Sequence, residues 1–199
     1  MKQSPLLLLA LFLLAGCSTA SISTVPKTIP DRPYARILTV FVDSDMDFYR
    51  LDAETYETYL KKRFNDLDHL EYRHQLERTF GRNLTATGTG IVQSSEVFEV
   101  NTEVSYDAFM HKVKQTGAEA ILLVNLRNYW YSYDNDLGDS EPNASFNCYL
   151  VDLKTLEPVW LARSVVNGII AGYDTLNNNL ARRVAAKLRK ERYIHRPQY

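Results

Sequence analysis

Residues 118–126, Ala-Glu-Ala-Ile-Leu-Leu-Val-Asn-Leu, are the most strand-like stretch of the chain and decide its fold class. Their unbroken apolar centre is typical of a strand that is buried on both faces of a sheet. A helical pattern over residues 106–115 comes just before them, with Ser105 as a suitable N-cap and Gly117 just past the helix end. A helix that leads into a buried strand favours a parallel crossover, and therefore an α/β domain.

The same alternation extends toward the amino terminus. Residues 35–42, Ala-Arg-Ile-Leu-Thr-Val-Phe-Val, predict a second buried strand. Helical spacing of apolar side chains predicts two helices, over residues 53–67 and 70–83, and a third strand is predicted over residues 85–92. Helices between strands predict parallel pairing among these first three strands.

The carboxyl-terminal part predicts a hairpin and a closing helix. Residues 145–152 and 159–168 have strand character and are joined by the turn-like residues 154–158, Lys-Thr-Leu-Glu-Pro. A last helix is predicted from about Asp174, with an aliphatic residue at every fourth position. Residues 34–199 are therefore predicted to form a single α/β domain, with a mixed parallel and antiparallel sheet flanked by helices.

The first seventeen residues have the three parts of a bacterial lipoprotein signal peptide. Lys2 supplies a positive charge, and residues 5–15 form an apolar run shorter than the ~20 residues that span a bilayer. Residues 14–17, Leu-Ala-Gly-Cys, match the lipobox. We expect residues 1–16 to be cleaved and Cys17 to carry diacylglycerol and a further acyl chain such as palmitate, because two or more chains anchor a protein stably. The alternatives are an ordinary secretory signal with a chance cysteine, or an internal helix.

Residues 17–33 are predicted to be the lipidated cysteine and an extended tether. The segment is rich in Ser, Thr and Pro and has no apolar period. At ~3.3 Å per residue it would lift the domain some ~50 Å from the membrane. The alternative is a strand or arm packed on the domain. Ser18 stands where an Asp would signal retention in the inner membrane of enterobacteria, so we expect the outer membrane, with the domain facing the periplasm.

Composition limits the remaining choices. The formal net charge of the chain is −1, which gives no indication of nucleic-acid binding. Cys148 is the one cysteine besides Cys17, so lipidation would leave it without a disulfide partner. Cys148 lies in a predicted strand, and we expect its thiol to be buried.

Three stretches resemble a widespread group of uncharacterised bacterial lipoproteins. They are residues 36–38 (Arg-Ile-Leu), 117–124 (Gly-Ala-Glu-Ala-Ile-Leu-Leu-Val) and 151–160 (Val-Asp-Leu-Lys-Thr-Leu-Glu-Pro-Val-Trp), and the likeness covers about residues 34–194. That group is similar to the domain shared by the TolB amino-terminal region and the lipoproteins CsgG, PelC (of Pel exopolysaccharide) and LpoB. The resemblance implies a fold and transfers no catalytic residues. Residues 44–67 depart from the pattern as an inserted segment.

Acidic residues offer the candidate metal ligands. Asp43, Asp45, Asp47 and Glu54 occupy positions 1, 3, 5 and 12 of a calcium-binding EF-hand loop, but Phe48 stands where that loop requires glycine. The alternative is a solvated turn after a strand, with Asp52 capping a helix. A second acidic loop spans residues 134–141, where a cation site or an exposed hairpin tip are the two interpretations.

Tyr129, Tyr131 and Tyr133 alternate with Trp130 and Ser132, and on a strand the three tyrosines would share one face. Exposed, they would suit a protein or glycan partner, and buried, they would be core. The four histidines show no zinc spacing, and no nucleophile or phosphate-loop motif occurs, so we expect no enzyme and no cofactor.

The sequence therefore predicts a lipid-anchored accessory or scaffold protein of a cell-envelope assembly. It would have an envelope protein partner or associate with itself. The alternatives are a ring component of a secretion or exopolysaccharide export channel, and a metal-dependent ligand-binding protein or enzyme that uses the acidic loops.

Overall fold

The computed structural model describes residues 20–133, 140–167 and 173–196. Its strands are β1 (Ala20–Pro26), β2 (Arg36–Asp43), β3 (Gly90–Gln93), β4 (Ala120–Tyr133), β5 (Ser140–Asp152) and β6 (Pro158–Asn167). Its helices are α1 (Ala53–Thr55), which continues as a π-helix over Tyr56–Leu60, α2 (Leu70–Thr85), α3 (Ser94–Val97), α4 (Tyr106–Gln115) and α5 (Tyr173–Lys190). Among these described residues, no helix has the length and apolar character needed to cross a membrane.

The strands form one six-stranded sheet in the order β1-β6-β5-β4-β2-β3. β2 is parallel to both β3 and β4, and the pairs β4–β5, β5–β6 and β6–β1 are antiparallel. Helices connect the three parallel strands, as such crossovers require. The prediction of a single α/β domain with a mixed sheet flanked by helices is confirmed.

The structure differs from the predicted tether over residues 20–26. Residues 20–26 are an edge strand, paired with β6 from Ala20–Val166 to Pro26–Trp160. Ala20 and Ile22 pack against the core, and the Thr24 hydroxyl donates to Glu191 at 2.8 Å. The alternation of small, apolar and hydroxyl side chains fits a half-buried strand once a neighbouring strand supplies hydrogen bonds. The alternative expectation, a strand packed on the domain, is the one observed for these residues.

The sheet separates two layers of core. On one face, α2 and α5 cover side chains such as Phe41, Leu122 and Phe146. On the other face, residues 44–64 and 98–113 cover a second cluster that is rich in aromatic side chains. The inserted segment noticed in the sequence therefore supplies one of the two core layers.

Two predicted elements are shorter than expected. The helix predicted over residues 53–67 ends at Leu60, because the chain turns at Lys62 with a φ of 64°. The strand predicted over residues 85–92 is observed only as Gly90–Gln93, since α2 runs on to Thr85. In both places tertiary packing of aromatic and apolar side chains outweighs the local pattern.

The helix that precedes the central strand has the expected ends. α4 spans Tyr106–Gln115, and the Ser105 hydroxyl accepts a hydrogen bond from the backbone N–H of Ala108 at 3.3 Å. Gly117 follows the helix with a φ of 69°, the left-handed conformation that glycine adopts without a Cβ penalty. These caps fix where the helix stops and β4 begins.

Candidate functional site

A cleft opens where β2 ends beside Leu126 of β4 and α2 begins. Its cavity has a volume of about 820 Å³ and is lined by Asp43, His69, Tyr72, Arg78, Arg127 and Tyr129, among others. A smaller cavity of about 240 Å³ shares Asp43, His69 and Tyr72 with it. The carboxyl ends of parallel strands are the usual place for ligand sites in α/β sheets, so this cleft is the candidate site.

A β-bulge shapes the floor of the cleft. The pairing of β4 with β5 shifts register between Leu126 and Asn128, which leaves Arg127 as the extra residue. The guanidinium of this residue donates a hydrogen bond to the carbonyl oxygen of Met46 at 2.8 Å. Bulges near sites commonly redirect one side chain in this way. No local sequence signal indicated the bulge.

The acidic segment after β2 is held by the protein itself. The buried Asn125 side chain accepts from the Ser44 backbone N–H and donates to the Ser44 carbonyl oxygen, both at 2.9 Å. Asp47 lies 3.9 Å from Arg127, and Asp43 lies 3.8 Å from the exposed imidazole of His69. The Asn125 amide and the Arg127 guanidinium therefore hold this segment, whereas in a metal-binding loop its oxygen atoms would surround an ion.

The predicted metal ligands do not come together. In the part of the chain that the structure describes, no three His, Cys, Asp or Glu side chains form a group that could hold a metal ion, which leaves Asp43, Asp45, Asp47 and Glu54 without a shared site. Asp52 instead caps α1, accepting from the Thr55 backbone N–H at 2.8 Å. That hydrogen bond lowers the pKa of the Asp52 carboxyl. The segment is the turn and helix cap described by the alternative expectation.

The cleft presents binding groups without an activated nucleophile. Among the described residues, no Ser, Thr, Cys or Lys side chain lines the larger cavity beside the Asp43–His69 pair. The Tyr72 hydroxyl donates to Asn177 at 3.1 Å, and Asn177 donates to Gln75 at 3.2 Å, so this wall is braced against α5. Tyrosine rings, amides and guanidinium groups suit reversible binding of a polar ligand.

The predicted tyrosine stripe borders this cleft. Tyr129 and Tyr131 share a face of β4, with ring centroids 5.3 Å apart and an edge-on angle of 86°. Tyr129 is half-buried in the cleft wall, whereas Tyr131 is 47% exposed. Trp130 points to the opposite face and is 37% exposed. The side chain of Tyr133, the acidic residues 134–139 and Cys17 lie outside the described residues, so the roles predicted for them stay predictions.

Comparison with known proteins gives a likeness of fold. A variant of PelC from Paraburkholderia phytofirmans, a dodecamer, matches with a TM-score of 0.52 and 14% identity over 84% of this chain and 98% of that one. A second PelC dodecamer from the same organism matches with a TM-score of 0.51 and 12% identity over 89% of this chain and 100% of that one. The fold of this chain is therefore similar to that of PelC, one of the lipoproteins named in the sequence resemblance.

The likeness does not extend to a family. No family model and no curated protein matches the sequence. The lipoprotein GNA1162 from Neisseria meningitidis matches with a TM-score of 0.45 and 19% identity over 78% of this chain and 99% of that one. At these identities the solved structures define a class of α/β fold for this chain and leave its activity to be argued from its own residues.

Proposed function

We propose that the protein is an envelope lipoprotein, held on a membrane through Cys17, that acts as a non-enzymatic accessory or scaffold. One observation carries this proposal: the lipobox cysteine lies three residues before Ala20, the first residue of a strand built into the sheet. A lipid on Cys17 is then joined to the folded domain almost directly. Such a linkage suits a protein whose task is to hold a surface at the membrane.

The residue after the anchor and the cleft chemistry complete the proposal. Ser18, in place of the inner-membrane retention Asp, supports the outer membrane, with the domain in the periplasm. The cleft supports binding because its lining offers aromatic, amide and guanidinium groups without an activated nucleophile. Neither feature identifies a partner.

Labelling and crosslinking in cells test the anchor and the scaffold role separately. Cells fed radiolabelled palmitate should label the wild-type chain in the membrane fraction, and Cys17→Ala should abolish the label. In-cell crosslinking of the tagged protein should then capture one dominant envelope protein, with the yield reduced in Cys17→Ala. An unlabelled wild-type chain would overturn the anchor, and crosslinks no different from those of an unrelated periplasmic protein would overturn the scaffold role.

Self-association into a ring is a second candidate. The two PelC structures with the same fold are dodecamers, and β1 pairs with β6 alone among the described strands, which leaves its outer edge open. An open strand edge is a ready template for another chain. Sedimentation velocity of the domain over a range of concentrations tests this, because a monomer at the highest concentration would exclude the ring.

A further inference from the structure

One part of the sheet has no covering layer among the described residues. Residues 44–64 and 98–113 pack over Tyr149 of β5, and residues 44–47 extend further along β4, to Asn125 and Arg127. Outside this cover, β5, β6, β1 and the end of β4 expose one face. We call this area the open face, and six residues define it: Ser23, Val25, Asn147, Arg163, Val165 and Trp130.

The open face combines exposed apolar side chains with short polar ones and few charges. Val25, Val165 and Trp130 are 59%, 36% and 37% exposed. Arg163 is the charged residue at its centre, and Glu141 lies at its far end on the same face of β5. Trp and Arg are side chains that membrane interfaces favour, because each joins an apolar part to a polar end.

The chain places the open face beside the lipid. Ala20 pairs with Val166, Val166 with Ala144, and Ala144 with Tyr129, so one row crosses β1, β6, β5 and β4. Three strand spacings of about 4.8 Å put Trp130, the residue after Tyr129, roughly 14 Å from the start of β1. Cys17 precedes Ala20 by three residues, which span at most about 10 Å. The anchor and Trp130 therefore lie at the same end of the sheet.

The two faces of the sheet differ in the side chains that they expose to a membrane. On one side, α5 lies against β1 and exposes basic side chains such as Arg182 and Arg183. On the other side, the open face exposes its apolar groups. Because three residues cannot hold the domain away from the lipid surface, one side must contact headgroups, and burial of apolar area favours the open face.

We propose that the open face lies against the lipid bilayer, with Trp130 and Val165 at the level of the headgroups and Arg163 near lipid phosphates. This inference rests on the anchor at Cys17 proposed above. The bilayer contact would fix the direction in which the cleft faces.

Tryptophan fluorescence in vesicles tests the contact independently of lipidation in cells. The chain from Cys17 onward contains every residue that the structure describes, and Cys148 is fully buried, so a maleimide lipid will couple at Cys17 alone. The vesicles would contain phosphatidylcholine and phosphatidylethanolamine, with and without brominated acyl chains. Trp160 is fully buried and donates to Glu191 at 2.6 Å, so subtracting the emission of Trp130→Phe isolates Trp130.

We expect coupling to shift the Trp130 emission to the blue and brominated lipid to quench it. Val165→Asp should reduce the quenching severalfold, because it places a carboxylate on the face. Tyr49→Asp is the matched control: Tyr49 is 75% exposed, and it lines a cavity with Asp152 and Pro158 at the opposite end of the sheet. Its quenching should equal that of the wild type.

Two results would overturn the inference. One is Trp130 emission that is identical in free and vesicle-coupled protein. The other is a blue shift that rises with protein concentration in the absence of lipid, which would assign the face to a second copy of the chain. The vesicle experiment does not depend on lipidation in cells, because the lipid is coupled chemically. A failure of palmitate labelling would therefore contradict the native anchor and not the contact measured in vesicles.

Discussion

At the scale of single residues, two buried tyrosines on the same π-helical turn differ in one hydrogen bond. The Tyr56 hydroxyl donates to the Val104 carbonyl oxygen at 2.9 Å. The Tyr59 hydroxyl is, among the described side chains, a buried polar atom without a hydrogen-bond partner, and burial raises its pKa. A buried polar group without a partner reduces stability, so the two hydroxyls should have opposite effects when removed.

We therefore expect Tyr59→Phe to leave the free energy of unfolding unchanged or to raise it by up to about 1 kcal/mol. Tyr56→Phe should lower it by about 1 kcal/mol, because it leaves the Val104 carbonyl without its donor. Equilibrium unfolding in urea measures both variants. Equal losses in the two would show that Tyr59 has a polar partner in solution.

Cys148 provides a pH-dependent prediction. Its side chain is fully buried in β5, and burial raises the pKa of the thiol from 9.0 to about 12. The folded chain thus keeps the proton between those pH values while the unfolded chain releases it. The contribution of Cys148 to stability is complete below pH 9.0 and declines as the pH rises toward about 12, by at most about 1.4 kcal/mol per pH unit.

Urea unfolding at several alkaline pH values should therefore give a shallower loss of stability in Cys148→Ala than in the wild type. At pH 8 a thiol reagent should label Cys148 of a Cys17→Ser chain only as fast as the domain unfolds. Rapid labelling of the folded domain, or equal pH slopes in the two proteins, would contradict the burial of this thiol.

At the scale of elements, one buried carboxylate joins α2 to the short helix α3. Glu77 is 3% exposed and accepts from the Ser94 hydroxyl at 2.6 Å and the Ser95 backbone N–H at 3.1 Å. It also accepts from the Ser95 hydroxyl. Three hydrogen-bond donors compensate the cost of burying this carboxylate. The contact holds the end of β3 against α2.

We expect Glu77→Gln to lower the free energy of unfolding by about 1–3 kcal/mol, because an amide cannot accept at both of its terminal atoms. Glu54→Gln makes the same change on an exposed side chain of α1 and should alter stability by less than about 0.5 kcal/mol. Urea denaturation compares the two. Similar small effects would show that the hydrogen bonds to Glu77 contribute little.

At the scale of the whole molecule, the short connection between Cys17 and β1 is the feature with the largest consequences. If Cys17 carries the proposed lipid, this connection allows at most about 10 Å between the anchor and the domain, far less than the ~50 Å of an extended tether. A domain held this closely meets the bilayer in few orientations. The cleft at the end of β2 would then keep one direction relative to the membrane.

Lengthening that connection should separate anchoring from orientation. A flexible Gly-Ser insertion of about twenty residues between Thr19 and Ala20 would allow excursions of about 25 Å. We expect the chain to remain in the membrane fraction, while quenching of Trp130 by brominated lipid falls severalfold, because the local concentration of the face at the bilayer is lower. The same insertion after Arg196 is the control, and equal quenching in both would contradict the role of the short connection.

The sequence by itself determined the central parts of the strands β2, β4, β5 and β6, the helices α2, α4 and α5, the parallel pairing of β2 with β4, and the antiparallel hairpin of β5 and β6. Those elements follow from local causes, namely apolar runs, helical spacing and the caps at Ser105 and Gly117. The candidate anchor at Cys17 is likewise a local motif. These elements can be predicted from the sequence because each depends on residues that are close together along the chain.

The tertiary structure alone decided the rest. A Ser/Thr-rich segment becomes β1 because the edge of β6 offers it hydrogen bonds from residues some 140 positions away. The bulge at Arg127 and the partners of Ser44 join segments about 80 residues apart, and they hold the acidic segment after β2 beside the cleft that Asp43 lines. The open face exists because the covering segments do not extend over β1 and the outer parts of β5 and β6. These features depend on contacts between distant residues, which no local pattern of side chains encodes.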